Sequence, residues 1–208
     1  RGRASRQILD AALEGLAKKV SSGFERLTTV IRLQGGGEEG VGEDVTYEGA
    51  LQLAQQEHGP RLPLAGEWTF DSFSEHLDAL DLFPAGAPDR EVYRLYRRWA
   101  FESAALDLAL RQSGLSLHAA VGRPARPVNF VASVRFGDPP SLGTLHGWLG
   151  AHPELRFKLD PTPSWDDDLV GELARLDCVD VVDMKGHYRD VNVALAPEAG
   201  LYRRVIEG

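Results

Sequence analysis

Hydrophobic and polar positions change period several times along this chain, and the changes mark its elements. Ile8, Leu9, Ala12, Leu13, Leu16 and Val20 recur at three- and four-residue intervals before Ser21-Ser22-Gly23, and the spacing predicts a first amphipathic helix. Residues 26–33, "RLTTVIRL", are β-branched and strand-like, "GGGEEG" turns the chain, and "VGEDVTY" reads as a partner strand. A hairpin is predicted there. After a loop rich in Pro and Gly come short apolar segments at Phe70, Phe73, Leu77, Leu80 and Leu82. The stretch from Glu91 to Gly114 carries Val92, Leu95, Trp99, Leu106 and Leu110 at helical intervals, with Gly114 as its cap. From Pro127 onward strand-like and helix-like segments alternate: "PVNFVASVRF", "SLGTLHGWLGAHP", "LRFKLD", "SWDDDLVGELARLD", "VDVVDMKG", and a last helix around Leu201 to Ile206. Strand starts recur roughly every 25 residues, the rhythm of parallel βαβ units.

Composition narrows the classes. A hydrophobic content of 43% over 208 residues supports a packed core, and a net charge of −8 without a basic block argues against nucleic acid as a partner. The single Cys178 allows no disulfide framework and no thiolate zinc site, which fits a reduced, cytoplasmic setting. No apolar run approaches the roughly 20 residues of a membrane span, and the first residues lack the apolar core of a signal peptide, so no membrane partner is expected. Gly35, Gly37 and Gly40 satisfy G-x-G-x-x-G, but a strand rather than a helix follows, and Glu38, Glu39, Glu43 and Asp44 would repel a pyrophosphate. A hairpin turn is the better account.

Candidate chemistry lies at two strand ends. Lys158-Leu159-Asp160 closes one strand and Asp183-Met184-Lys185 another, and residues two apart on a strand share a face. On adjacent parallel strands about 4.8 Å apart, K-x-D beside D-x-K can form crossed ion pairs, a set neutral by itself. Asp160 beside Lys158 would raise the lysine pKa, the wrong direction for a base. The six histidines show no metal-ligand spacing on one element.

Three motifs in order carry a family resemblance. "GGGEEGVGED" after a strand, then "WAFESAALDLALRQSGLSLHAAVG", then "RPVNFVAS" resemble the N-terminal portion of enolase-superfamily proteins of the mandelate racemase and muconate lactonising type. The resemblance covers about Phe24 to Gly208 and implies an α+β capping domain, residues 1–126, followed over 127–208 by the first part of a (β/α)7β TIM-like barrel, with about three strands present. In such a family the second barrel strand commonly ends in K-x-K and the third in an Asp that binds Mg²⁺. Lys158 and Asp183 match that pattern, and Asp160 and Lys185 depart from it.

The resemblance implies Mg²⁺ as cofactor, Lys158 and Lys185 as catalytic candidates and Asp183 as the metal ligand. It places Asp160 with the capping-loop residues Phe24 and Tyr47 toward a small carboxylate substrate. The implied reaction is abstraction of a proton alpha to a carboxylate, as in a racemase, dehydratase or cycloisomerase. A barrel needs about 250 residues, whereas about 80 follow Val128, so the chain by itself is expected to be an inactive portion that self-associates as a homo-oligomer. The alternative is a non-catalytic enolase-like protein in which Lys158, Asp160, Asp183 and Lys185 form a structural ion-pair network.

Overall fold

The computed structural model describes residues 6–20, 25–186 and 198–207. They fall into two compact units, Arg1–Ala125 and Arg126–Gly208. The first unit is α+β. Strand β1 (Arg6–Ile8) pairs with β5 (Gly66–Trp68), and β2 (Asp10–Lys19), β3 (Glu25–Gly35) and β4 (Glu38–Asp44) form an antiparallel sheet in that order. Four helices accompany them: α1 (Gly49–His58), α2 (Phe70–Asp78), α3 (Val92–Ser113) and the short α4 (Leu117–Ala120).

The expected first helix is instead a strand. β2 pairs with β3 over ten residues, from Asp10 opposite Gln34 to Lys19 opposite Glu25, and Arg32 reaches across to Glu14 at 2.6 Å. Helix preference among Ala, Leu, Glu and Lys differs from that of strand formers by only tenths of a kcal/mol per residue, and pairing with the β-branched strand β3 outweighs it. Residues 10–14 also alternate: Ala11 and Leu13 turn toward the core while Asp10, Ala12 and Glu14 face outward. The predicted hairpin forms, with Gly36 and Gly37 at φ 58° and 81° making the turn, and Gly35, Gly37 and Gly40 lie in that hairpin and not before a helix.

Helix α3 lies across the sheet and ends at Gly114, whose left-handed backbone caps it as expected. Its buried face is Tyr93, Arg97, Ala100, Phe101, Ala104 and Leu108. Val92, Leu95 and Trp99 point outward. Small residues decide this orientation: a Cβ on Gly40 would sit 2.2 Å from the Ala104 carbonyl oxygen, and one on Gly42 2.0 Å from that of Ala100. The same contact surface buries the Arg97–Asp44 pair. Arg97 Nε donates to Asp44 Oδ2 at 2.8 Å, its outer nitrogens donate to the carbonyls of Leu82 and Leu51, and its guanidinium lies 3.6 Å from the Phe83 ring centroid.

In the second unit strand and helix alternate as predicted: β6 (Ala132–Val134), α5 (Gly143–Ala151), β7 (Phe157–Leu159), α6 (Asp167–Leu176), β8 (Val179–Val182) and α7 (Ala199–Glu207). The three strands are parallel in the order β6-β7-β8. Phe157 and Leu159 are fully buried in one cluster with Leu145 of α5, Val170 and Leu173 of α6 and Leu201 of α7, so the helices pack on one face of the sheet. Asp166 caps α6 by accepting the Leu169 N–H at 2.9 Å, and Asp167 and Asp168 follow in the positive first turn. Alternation along β7 then sends Lys158 and Asp160 to the other face.

Candidate functional site at the strand ends

Val134, Leu159 and Val182 close the three parallel strands, and the next residue in each case is charged: Arg135, Asp160 and Asp183. The ladder holds them level. Val134 is opposite Leu159, Leu159 is opposite Val182, and the Asp183 N–H donates to the Leu159 carbonyl at 2.8 Å. Onto this row come two lysines. Lys158 Nζ lies 2.7 Å from Asp160 Oδ1 and 2.8 Å from Asp183 Oδ2. Lys185, whose backbone is left-handed at φ 51°, curls back so that its Nζ donates to Asp183 Oδ2 and stands 3.8 Å from Asp160 Oδ1.

The structure therefore brings together four of the residues singled out from sequence: Lys158, Asp160, Asp183 and Lys185. Tyr47 belongs to the first unit, where its ring is largely exposed and carries the Arg26 guanidinium at 4.0 Å from the centroid. Phe24 lies outside the described residues. Sequence reasoning missed Arg135, whose Nε donates to Asp160 Oδ2 at 2.8 Å. The available signal was its place one residue past a strand end, the same place that Asp160 and Asp183 occupy.

Electrostatics follow from these contacts. Burial pulls Lys158 downward, but hydrogen bonds to Asp160 and Asp183 outweigh it and leave the ammonium above its ordinary value. Burial pushes Asp160 up, and the bonds from Lys158 and Arg135 together with the Lys158 and Lys185 charges carry it below the usual carboxylate range. Asp183 is held well below that range, chiefly by the Lys158 and Lys185 hydrogen bonds. All three groups are locked in their charged forms near neutrality. A lysine so held is a poor proton acceptor.

The donor set bears on Mg²⁺. That ion wants about six oxygens in octahedral array, and among the described residues two carboxylates converge here, each already accepting a lysine ammonium. Among the described residues no group of three or more His, Cys, Asp or Glu is placed to hold a metal. A divalent ion at Asp183 would meet two ammonium groups at contact distance, so the described residues do not fit it.

Two family models match the chain, described as the N-terminal domain and the C-terminal domain of a domain of unknown function (DUF8230), over residues 5–120 and 124–208. No curated protein matches it. Among solved structures, a putative mandelate racemase from Bordetella bronchiseptica RB50, complexed with 2-oxoglutarate/phosphate, aligns at 17% identity and TM-score 0.60 over 88% of this chain and 52% of its own. An enolase-superfamily member from Listeria innocua Clip11262 aligns at 20% identity and TM-score 0.56, over 89% of this chain and 52% of its own. A probable mandelate racemase from Alicyclobacillus acidocaldarius aligns at 21% identity and TM-score 0.54, over 88% and 52%. The shared feature is the fold of the N-terminal portion, and the chain spans about half the length of these structures.

Proposed function

The chain belongs to the DUF8230 family, and from that premise we propose that it is the N-terminal portion of an enolase-type protein whose strand-end carboxylates are held by lysines in place of a divalent cation. In this reading residues 1–126 are the capping domain and the parallel sheet of 127–208 begins a (β/α)7β barrel. The observation that carries it is Lys158 Nζ bridging Asp160 and Asp183 at 2.7 and 2.8 Å, with Lys185 on Asp183 as well. These groups form a permanently charged floor for the crevice at the C-terminal strand ends, where barrel proteins place their ligands. The test is calorimetric titration with MgCl₂ near neutral pH. The chain should give no saturable heat up to millimolar Mg²⁺, and Lys185→Asn should gain binding. Tight Mg²⁺ binding by the unaltered chain would overturn the reading.

A second reading has one observation in its favour: Lys158 and Asp183 stand together at adjacent strand ends of a fold shared with mandelate racemase-type structures. There the intact protein abstracts a proton alpha to a small carboxylate, as a racemase, dehydratase or cycloisomerase. Lys158 or Lys185 serves as base, Mg²⁺ sits at Asp183, and Asp160, Phe24 and Tyr47 face the substrate. It requires both lysines to leave Asp183. Mg²⁺-dependent exchange of an α-proton into deuterated solvent by the intact protein would favour it. Homo-oligomer formation, which would cover the sheet edges, fits either reading and is checked by light scattering.

A further inference from the structure

We infer that the free edge of β2 is an interface between two copies of this chain, which pair antiparallel about Glu14. In the sheet order β2-β3-β4 this strand has a neighbour on one side, and its ladder to β3 runs unbroken over ten residues, none of them proline. Among the described residues, residues 10–19 make no backbone–backbone hydrogen bond beyond that ladder. Alternate residues therefore hold their N–H and C=O groups toward the open side, the array that a further strand completes. The same stretch is the least covered: every residue from Glu14 to Lys19 is exposed, Leu16 by 43%.

Charge selects the occupant. Alternation puts Asp10, Ala12, Glu14, Leu16 and Lys18 on the outward face of the strand. A twofold axis through Glu14, perpendicular to the sheet, sets Asp10 of each copy opposite Lys18 of the other and Ala12 opposite Leu16, so two ion pairs flank two apolar contacts. Glu14 meets its own copy, and each Glu14 already holds Arg32 at 2.6 Å, which supplies the opposing charge. A slip of two residues either way leaves Asp10 opposite Leu16 or Val20, and parallel pairing in register sets Asp10, Glu14 and Lys18 each against its own kind. Charges that deter unselected strands from an edge thus admit one strand in one register, a second β2. The inference gives the homo-oligomer a surface and rests on neither reading of the strand-end lysines and aspartates.

The experiment is size-exclusion chromatography with light scattering on the 208-residue chain at low, fixed ionic strength, where exposed charge pairs are least screened. The expected mass is twice the 22.8 kDa of one chain. Asp10→Lys and Lys18→Asp, each alone, set like charges opposite one another at two places and should weaken dimerisation at least ten-fold. The two combined restore opposite charges and should restore the dimer. Glu14→Cys brings two thiols together on the twofold axis and should give a disulfide-linked dimer under mild oxidation, whereas the unaltered chain, whose Cys178 is buried, should give none. Circular dichroism verifies that each variant is folded. A monomeric unaltered chain, a dimer that both single charge reversals leave intact, or a folded combined variant that stays monomeric overturns the inference.

Discussion

Asp183 accepts two ammonium groups, and the consequence is a pH dependence with a definite sign. A carboxyl whose folded pKa lies below its unfolded value of about 4 stabilises the fold above that value and loses the contribution as pH falls through the folded one. Asp160 and Asp183 both act in this sense. The urea midpoint of the chain should therefore drop between about pH 4 and pH 2, and Asp183→Asn should flatten that drop while costing about 1–3 kcal/mol at pH 7. Lys158 runs the other way: its contribution is complete below about 10.4 and is lost as pH rises past its raised folded value. The four lysines and aspartates of the cluster were legible because a two-residue spacing at a strand end fixes a shared face. Arg135 was not, since it has no charged neighbour two residues away and its partner Asp160 is 25 residues distant. The buried Arg97–Asp44 pair escaped for the same reason, being 53 residues apart in sequence. Removing only one member leaves an uncompensated charge in the core, so Arg97→Met should cost about 3–5 kcal/mol in urea unfolding.

At the scale of elements, the contact between α3 and β4 is set by absent side chains. Gly42→Ala places a methyl 2.0 Å from the Ala100 carbonyl oxygen, a backbone atom that moves only if the helix moves. The expected cost is about 1–3 kcal/mol, read as a lowered urea midpoint, whereas Gly37→Asn at the hairpin turn, where nothing lies within 4 Å, should cost little. Equal effects of the two substitutions would show that the Ala100 carbonyl of α3 does not rest against Gly42 of β4. The existence and end of α3 were readable from periodicity and Gly114. Its orientation was not, because large apolar residues lie on two of its faces, Leu95 and Trp99 on the exposed one and Tyr93, Phe101 and Leu108 on the buried one. What decided the face was a match of small residues, Gly40 and Gly42 on the strand against Ala100 and Ala104 on the helix. The strand at β2 is hidden in the sequence for a related reason: its run fits a helical and an alternating pattern together, and the ladder to β3 separates them.

Across the whole molecule, every residue from 114 to 130 is exposed, including Leu115, Leu117, Val121, Val128 and Phe130. On either side of this stretch stand elements whose backbone is tied into helix or sheet, so a protease that needs an extended segment should find one there first. Trypsin is a poor probe of it, since Arg123 and Arg126 each precede a proline. Thermolysin, which cuts on the amino side of bulky apolar residues, has Val121, Val128 and Phe130 available. Brief digestion should produce two fragments that divide between about residues 120 and 130, with far-UV circular dichroism largely retained, because the antiparallel sheet with α3 and the parallel sheet with its helices each bury a core of their own. Identifying the early products by mass settles the matter. First cuts within β3 or α3 would mean that the units do not close separately around those cores, and the division of the chain at Ala125 would have to be redrawn.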